Sequence, residues 1–72
     1  MAEKQYQLHE QRVLDEAKEL SEKIEKLKIF INSQVDKTAK VLIPEEDLQI
    51  LMIQQNTMQS YLTILLFRIS KF

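Results

Sequence analysis

The longest uncharged run of this chain covers residues 48–67, and it constrains the fold more than any other feature. Its 20 residues contain no charged side chain, although acidic residues precede it and Arg68 follows it. A helix on the surface of a protein needs only one apolar stripe. An uncharged helix of this length therefore needs other helices around it, and 72 residues are too few to supply them all. The sequence thus predicts association with further copies or partners.

Composition narrows the ways in which so short a chain can be stabilised. Small domains usually rely on disulfides, metal ions or oligomerisation. The sequence has no cysteine and a single histidine, which argues against disulfides and against thiolate or histidine-cluster metal sites. We therefore expect a homo-oligomer with no cofactor and no metal ion. The formal net charge of −1 argues against DNA or RNA as a partner, because nucleic-acid binding needs a strongly basic face.

The uncharged run is long enough to cross a membrane, but its polar residues oppose that interpretation. Eight amide and hydroxyl side chains interrupt it, and each is unfavourable in hydrocarbon without a hydrogen-bond partner. The polar N-terminus also lacks the apolar segment of a signal peptide. We expect a cytoplasmic protein with no membrane partner, and a membrane-associated hairpin is the least favoured interpretation.

Two helical patterns are separated by Pro44, the single proline of the chain. Proline suits the first turn of a helix, and the acidic residues that follow it suit the positive end of the helix dipole. We expect a first helix at about residues 5–35, a loop at about 36–43 and a second helix at about 44–71. The chain has no glycine, which disfavours a left-handed residue at a helix end.

Each helical pattern contains an apolar seam with alternating spacings of three and four residues, as in coiled coils. Two helices of equal length joined by one short loop predict an antiparallel hairpin. The expected fold is therefore an all-α, antiparallel two-helix hairpin that assembles into an oligomeric helical bundle, with Tyr61 near Ser21 and Arg68 near Leu14. The first seam consists of Val13, Ala17, Leu20, Ile24, Leu27 and Ile31, and the second of Leu48, Leu51, Gln55, Met58, Leu62, Leu65, Ile69 and Phe72.

Candidate binding residues follow the second helix, whereas no catalytic signature is present. His9 and Glu10 begin like a zinc-protease helix, but Val13 stands where the second histidine belongs. Polar side chains recur every seven residues along one line beside the seam, and they offer an amide, a phenol and a guanidinium for hydrogen bonding, stacking and phosphate binding. We expect them to form a ligand site with groups at the end of the hairpin that is remote from the loop. The line is Gln54, Tyr61 and Arg68, and the added groups are Arg12, Tyr6, His9 and Phe72.

Two interpretations of this cluster stay open from composition and spacing alone. Two arginines with aromatic rings near the start of a helix can hold a phosphorylated base. Alternatively, Arg68 forms a salt bridge with Glu16 or Asp15, and Tyr61 is a flanking residue with its hydroxyl in water. Composition by itself favours the second interpretation.

The chain resembles a family of small two-helix phage proteins related to a crAss-like phage protein. The resemblance covers nearly the whole chain, and its distinctive members are Arg12, Gln54, Tyr61 and Arg68. The loop here is longer and more apolar than that family's pattern implies. The further residues of the pattern are Tyr6, Gln7, Val13, Glu16, Leu20, Lys23, Leu27, Phe30, Ile31, Met58, Ile64, Leu65 and Ile69.

In size and hairpin design the chain is also similar to phage anti-defence sponges, which sequester nucleotide signals of the CBASS and Thoeris immune systems. This resemblance implies a non-enzymatic protein that binds a cyclic dinucleotide or a cyclic ADP-ribose type of signal between protomers. It also implies the cytoplasm of an infected bacterium as the location. The alternative is a helical protein-interaction module whose apolar helix inhibits or adapts a host or phage protein.

Overall fold

The computed structural model describes residues 5–72, and these residues form two helices. Helix α1 covers Leu8–Val35 and helix α2 covers Glu45–Ser70. The two ends of the hairpin meet, because the rings of Tyr6 and Phe72 contact each other. The helices are therefore antiparallel, and the fold is the all-α two-helix hairpin that the sequence predicts. The molecule is a rod with extents of 50 × 21 × 15 Å.

Helix α1 begins at Leu8 and not at about residue 5 as expected. Gln7 is extended, with φ −67° and ψ 162°, and acts as the N-cap. Its backbone N–H donates a hydrogen bond to Oε1 of Glu10 at 2.9 Å. In return, the Gln7 side chain accepts from the backbone N–H of Glu10, which completes a capping box. The Glu10 N–H has no partner within the helix, so this pair of bonds stabilises a helix start at this point.

At the C-terminus of α1, Lys37 adopts the left-handed conformation with φ 58°. The expectation that a chain without glycine would avoid such a residue at a helix end was therefore wrong. The N–H groups of Lys37 and Thr38 donate to the carbonyl oxygens of Gln34 and Ser33 at 3.2 and 2.9 Å. These bonds satisfy free carbonyl groups at the helix end. A lysine thus occupies a position that usually belongs to glycine, because closing the helix end outweighs the local steric cost.

The core lies along the seam between α1 and α2, where the two apolar patterns predicted from the sequence face each other. Leu65 is fully buried, and Ile24 is 4% exposed. Ala17 is also buried, and its small side chain suits the close approach of two helices. The cluster consists of Val13, Ala17, Ile24, Leu62 and Leu65, with Leu20, Met58, Ile69 and Phe72 packed against it.

Helix α2 keeps a largely apolar outer surface in a single hairpin. Three hydroxyl side chains on it donate to backbone carbonyls of their own helix: Thr57 to Ile53 at 3.0 Å, Ser60 to Asn56 at 3.1 Å and Thr63 to Gln59 at 3.0 Å. Their hydrogen-bonding needs are met within the helix.

Neither helix of the described residues combines the length and apolar content that a membrane span requires.

Candidate functional site

A hydrogen bond across the hairpin connects Tyr61 of α2 to Glu16 of α1. The phenol hydroxyl donates to Oε1 of the carboxylate. The expected alignment placed Tyr61 near Ser21 and Leu20 instead, so this contact lies more than one helical turn nearer the free ends of the hairpin. The physical reason is that a tyrosine side chain is long enough to reach about one helical turn along the neighbouring helix. Glu16 is the site residue whose role sequence reasoning missed, because it was considered only as a partner for Arg68.

The electrostatic environment of Tyr61 comes from both helices. The pKa of its phenol is raised above the ordinary value of 10.0, first by the hydrogen bond to Glu16, then by desolvation and by the negative charge of that carboxylate. The positive charge of Arg68 acts in the opposite direction. Arg68 is therefore close enough to Tyr61 for its charge to lower the pKa of the phenol. Tyr61 remains 43% exposed as a residue, so part of it is accessible to a ligand.

Arg12 lies on the same side of the hairpin as this hydrogen bond. Residues three and four apart share a face of an α-helix, so His9, Arg12 and Glu16 follow one another along α1. Arg68 is about two turns beyond Tyr61 on α2, and both arginines extend towards the free ends from the Glu16–Tyr61 contact. We call Arg12, Glu16, Tyr61 and Arg68 the Tyr61 surface.

Both guanidinium groups of the Tyr61 surface are available to a ligand. Arg12 and Arg68 are exposed, and neither forms an ion pair with another residue in the range 5–72. The salt bridge from Arg68 to Glu16 or Asp15 that the sequence left open is thus absent from the described residues. Glu16 accepts the hydroxyl of Tyr61 instead.

The aromatic groups expected at the ends of the hairpin are arranged partly as a pair. The rings of Tyr6 and Phe72 meet edge to face, with centroids 6.3 Å apart and planes at 60°. Tyr6 remains 38% exposed and His9 is exposed. This pair closes the open end of the hairpin next to the arginines. Part of the surface of each ring is therefore already in contact with the other ring.

Gln54 lies on the same line of α2 but belongs to a different part of it. It is two turns from Tyr61 towards the loop, and its Nε2 contacts Sδ of Met58 at 3.9 Å. The structure therefore does not bring Gln54 together with the two arginines. A ligand that reached both would have to extend along about 20 Å of the helix.

A separate concavity lies on the outer face of α2, away from the Tyr61 surface. It has a volume of about 260 Å³ and is lined by Thr63, Leu66, Phe67 and Ser70. Leu66 and Phe67 are 52% and 67% exposed. The sequence indicated excess apolar residues on this helix, but not that they would border a depression. Its apolar lining suits a hydrophobic side chain better than a phosphate.

Within residues 5–72, no three metal-binding side chains come together. No curated protein and no solved structure matches this chain. The sequence model of one protein family does match it, over residues 7–71, a range that includes both helices and the whole Tyr61 surface. The chain therefore belongs to the Sequestin family.

Proposed function

We propose that this protein is a phage anti-defence protein that binds a nucleotide immune signal in the cytoplasm of the infected bacterium and holds it without cleaving it. The signal is of the cyclic dinucleotide or cyclic ADP-ribose type. One observation carries the proposal: two exposed arginines lie on the free-end side of the Glu16–Tyr61 hydrogen bond, one on each helix. Phosphates with an adjoining base are the ligand chemistry that this combination suits.

The family name supports the coarser part of this proposal. It suggests that members sequester a molecule, which is a binding function and not a catalytic one. The Tyr61 surface is consistent with binding, because it offers charge, hydrogen bonds and an aromatic face. It contains one carboxylate, and that carboxylate accepts the hydroxyl of Tyr61, so it lacks the free acid and base pair that hydrolysis commonly uses.

Each group of the Tyr61 surface has a distinct role in the proposed complex. Arg12 and Arg68 bind phosphate oxygens, since a guanidinium offers paired N–H donors in a planar fork. The exposed part of the Tyr61 ring stacks on the base. Glu16 fixes the orientation of that ring through its hydrogen bond. Tyr6, His9 and Phe72 border the ligand at the free ends, and Gln54 contributes only to a long ligand.

The proposed pocket lies between protomers of a homo-oligomer. All members of the Tyr61 surface are exposed in a single hairpin, whereas small-molecule sites bury most of the ligand. Sequestration of a signal at about micromolar concentration needs a Kd near nanomolar, or roughly −12 kcal/mol. A second hairpin over the Tyr61 surface supplies the missing walls.

Titration calorimetry with a panel of signalling nucleotides tests the proposal. We expect one of them to bind to the wild type with a Kd near nanomolar and to be recovered unchanged by mass spectrometry. Arg68→Ala should weaken that binding by about 10–100-fold, because it removes a charge-assisted hydrogen-bond donor. Lys18→Ala, which removes an exposed cation elsewhere on α1, is the matched control and should bind as the wild type does. The proposal fails if the wild type binds none of the nucleotides.

A helical interaction module is the second candidate function, and the concavity on the outer face of α2 favours it. Its apolar rim at Leu66 and Phe67 could receive a side chain of a host or phage protein. A pulldown from bacterial lysate with wild type and Phe67→Ala separates the two candidates. A stoichiometric protein that is lost with Phe67→Ala, without any retained nucleotide, would favour this alternative.

A further inference from the structure

A second stripe of side chains runs along α2 outside the core seam. Its members are separated by four, three, four, four, three and four residues, which keeps them on one face of the helix. The first, middle and last members are 11 residues apart, close to three full turns, so the stripe runs nearly straight for about 33 Å. The members are Glu46, Ile50, Ile53, Thr57, Tyr61, Ile64 and Arg68.

The second stripe is exposed and largely apolar in the single hairpin. Ile50, Ile53 and Ile64 are 56%, 65% and 56% exposed. The hydroxyl of Thr57 donates to the carbonyl of Ile53 at 3.0 Å, so its methyl group can enter an apolar contact without leaving a buried donor unsatisfied. A row of isoleucines with no covering element is unfavourable in water and favours a partner.

The spacing of the second stripe is palindromic about Thr57. If a second α2 lies against it in the opposite direction, with Thr57 on the two-fold axis, each member meets a complementary one. Ile50 faces Ile64 of the partner subunit, and Ile53 faces Tyr61 of the partner subunit. At both ends Glu46 faces Arg68 of the partner subunit, so that opposite charges meet.

We propose that the second stripe is the dimer interface of this protein, formed by two antiparallel copies of α2 related by a two-fold axis at Thr57. A two-fold interface must use the same patch on both subunits and must complement itself. The palindromic spacing and the opposite charges at its two ends satisfy that condition. An unrelated protein partner would not require either property.

The interface also completes the Tyr61 surface. Ile53 of the partner subunit covers part of the Tyr61 ring, and Glu46 of the partner subunit approaches Arg68. A guanidinium carries five N–H donors, so an ion pair with one carboxylate orients Arg68 and leaves donors for a phosphate. This dimer goes beyond the proposed function and is tested without any nucleotide. Failure of nucleotide binding would therefore leave it standing.

A charge exchange tests the pairing at the ends of the second stripe. In sedimentation at low ionic strength, where charge contacts are least screened, we expect the wild type to dimerise. Glu46→Arg and Arg68→Glu should each raise the dimer Kd at least about tenfold, because each creates two like-charge contacts. The double variant should return the Kd to within about threefold of the wild type. A double variant as weak as the single ones would overturn the pairing, and so would single variants that dimerise normally.

A cysteine crosslink tests the position of the two-fold axis. The chain has no cysteine, so Thr57→Cys introduces a single thiol that lies opposite its own copy in the proposed dimer. Mild oxidation should link this variant into a covalent dimer within the disulfide distance limits. Thr63→Cys, on the outer face of α2, is the control and should remain uncrosslinked. Equal crosslinking of the two variants, or crosslinking of the control alone, would overturn the proposal. Circular dichroism confirms that each variant remains helical.

Discussion

Gln34 is hydrogen-bonded to the backbone of Ile43 across the hairpin loop, with Oε1 accepting the Ile43 N–H at 2.9 Å. The same side chain donates from Nε2 to the carbonyl of Val41 at 3.0 Å. Gln34 is only 5% exposed, and both bonds are partly buried. One amide thus satisfies two loop groups that no helix pairs, and it holds the loop against the end of α1.

We predict that Gln34→Ala lowers the free energy of unfolding by about 1–3 kcal/mol, because a loop donor and a loop acceptor lose their partner. Urea unfolding at a fixed protein concentration measures the change, since association would also contribute to stability. Gln59→Ala removes an exposed amide from α2 and should change stability by less than about 0.5 kcal/mol. Equal effects of the two substitutions would show that the bonds to the loop add nothing.

The sequence predicted the core more completely than the loop, and the reason is physical. Apolar spacing reports which side of a helix is buried, and it identified the residues that pack around Leu65. Gln34 continues the seam, three residues beyond Ile31, but polarity ended the apolar pattern. A polar residue at a seam position next to a loop is a signal for a buried side chain that is hydrogen-bonded to the loop backbone. Its backbone partners, however, depend on a loop shape that spacing does not determine.

The sequence placed the candidate residues on faces of the two helices but did not predict their contacts. Periodicity placed Tyr61 and Arg68 on one line of α2, and the structure retains that line. It could not identify Glu16 as the partner of Tyr61, because spacing gives the face of a helix on which a residue lies and not the residue of the neighbouring helix that its side chain contacts. The left-handed Lys37 was also missed, because the absence of glycine limits such conformations without forbidding them.

Replacing Lys37 by glycine should stabilise the hairpin. The residue has φ 58°, which is strained for a side chain with a Cβ atom and unstrained for glycine. Part of the gain is lost to the greater freedom of glycine in the unfolded chain. We expect Lys37→Gly to raise the free energy of unfolding by about 0.5–1 kcal/mol. Lys40→Gly, at an exposed loop position, is the control for removing a charge, and an equal gain there would argue against relief of strain.

Leu65 and Leu66 provide a test of the core with matched side chains. Leu65 is fully buried in the core, whereas Leu66 is 52% exposed on the outer face of α2. Leu65→Ala should lower the free energy of unfolding by about 2–5 kcal/mol, through lost burial and the cavity that remains. Leu66→Ala should lower it by less than about 1 kcal/mol. Thermal and urea unfolding at one protein concentration compare the two. A larger loss for Leu66→Ala would mean that the outer face of α2 is buried in an assembly.

The hydrogen bond between Tyr61 and Glu16 predicts a measurable dependence on pH. It raises the pKa of Tyr61 above 10.0, so the folded protein binds the phenolic proton more tightly than the unfolded chain does. The contribution of this proton to stability is complete below the unfolded pKa of about 10. It is lost as the pH rises through the higher pKa of the folded state. Absorbance of the phenolate follows this transition, and Tyr61→Phe identifies which tyrosine produces it.

Glu16→Ala removes both the acceptor and the negative charge, while the charge of Arg68 remains to favour the phenolate. The pKa of Tyr61 should therefore fall in this variant, and the loss of stability at high pH should shrink or disappear, because that loss requires a folded pKa above the unfolded one. Glu25→Ala removes an exposed carboxylate from the opposite face of α1 and should leave the transition in place. If the Tyr61 transition were the same in wild type and Glu16→Ala, Glu16 would not hold the ring in solution. The role that we assign to it in orienting Tyr61 for a ligand would then be wrong.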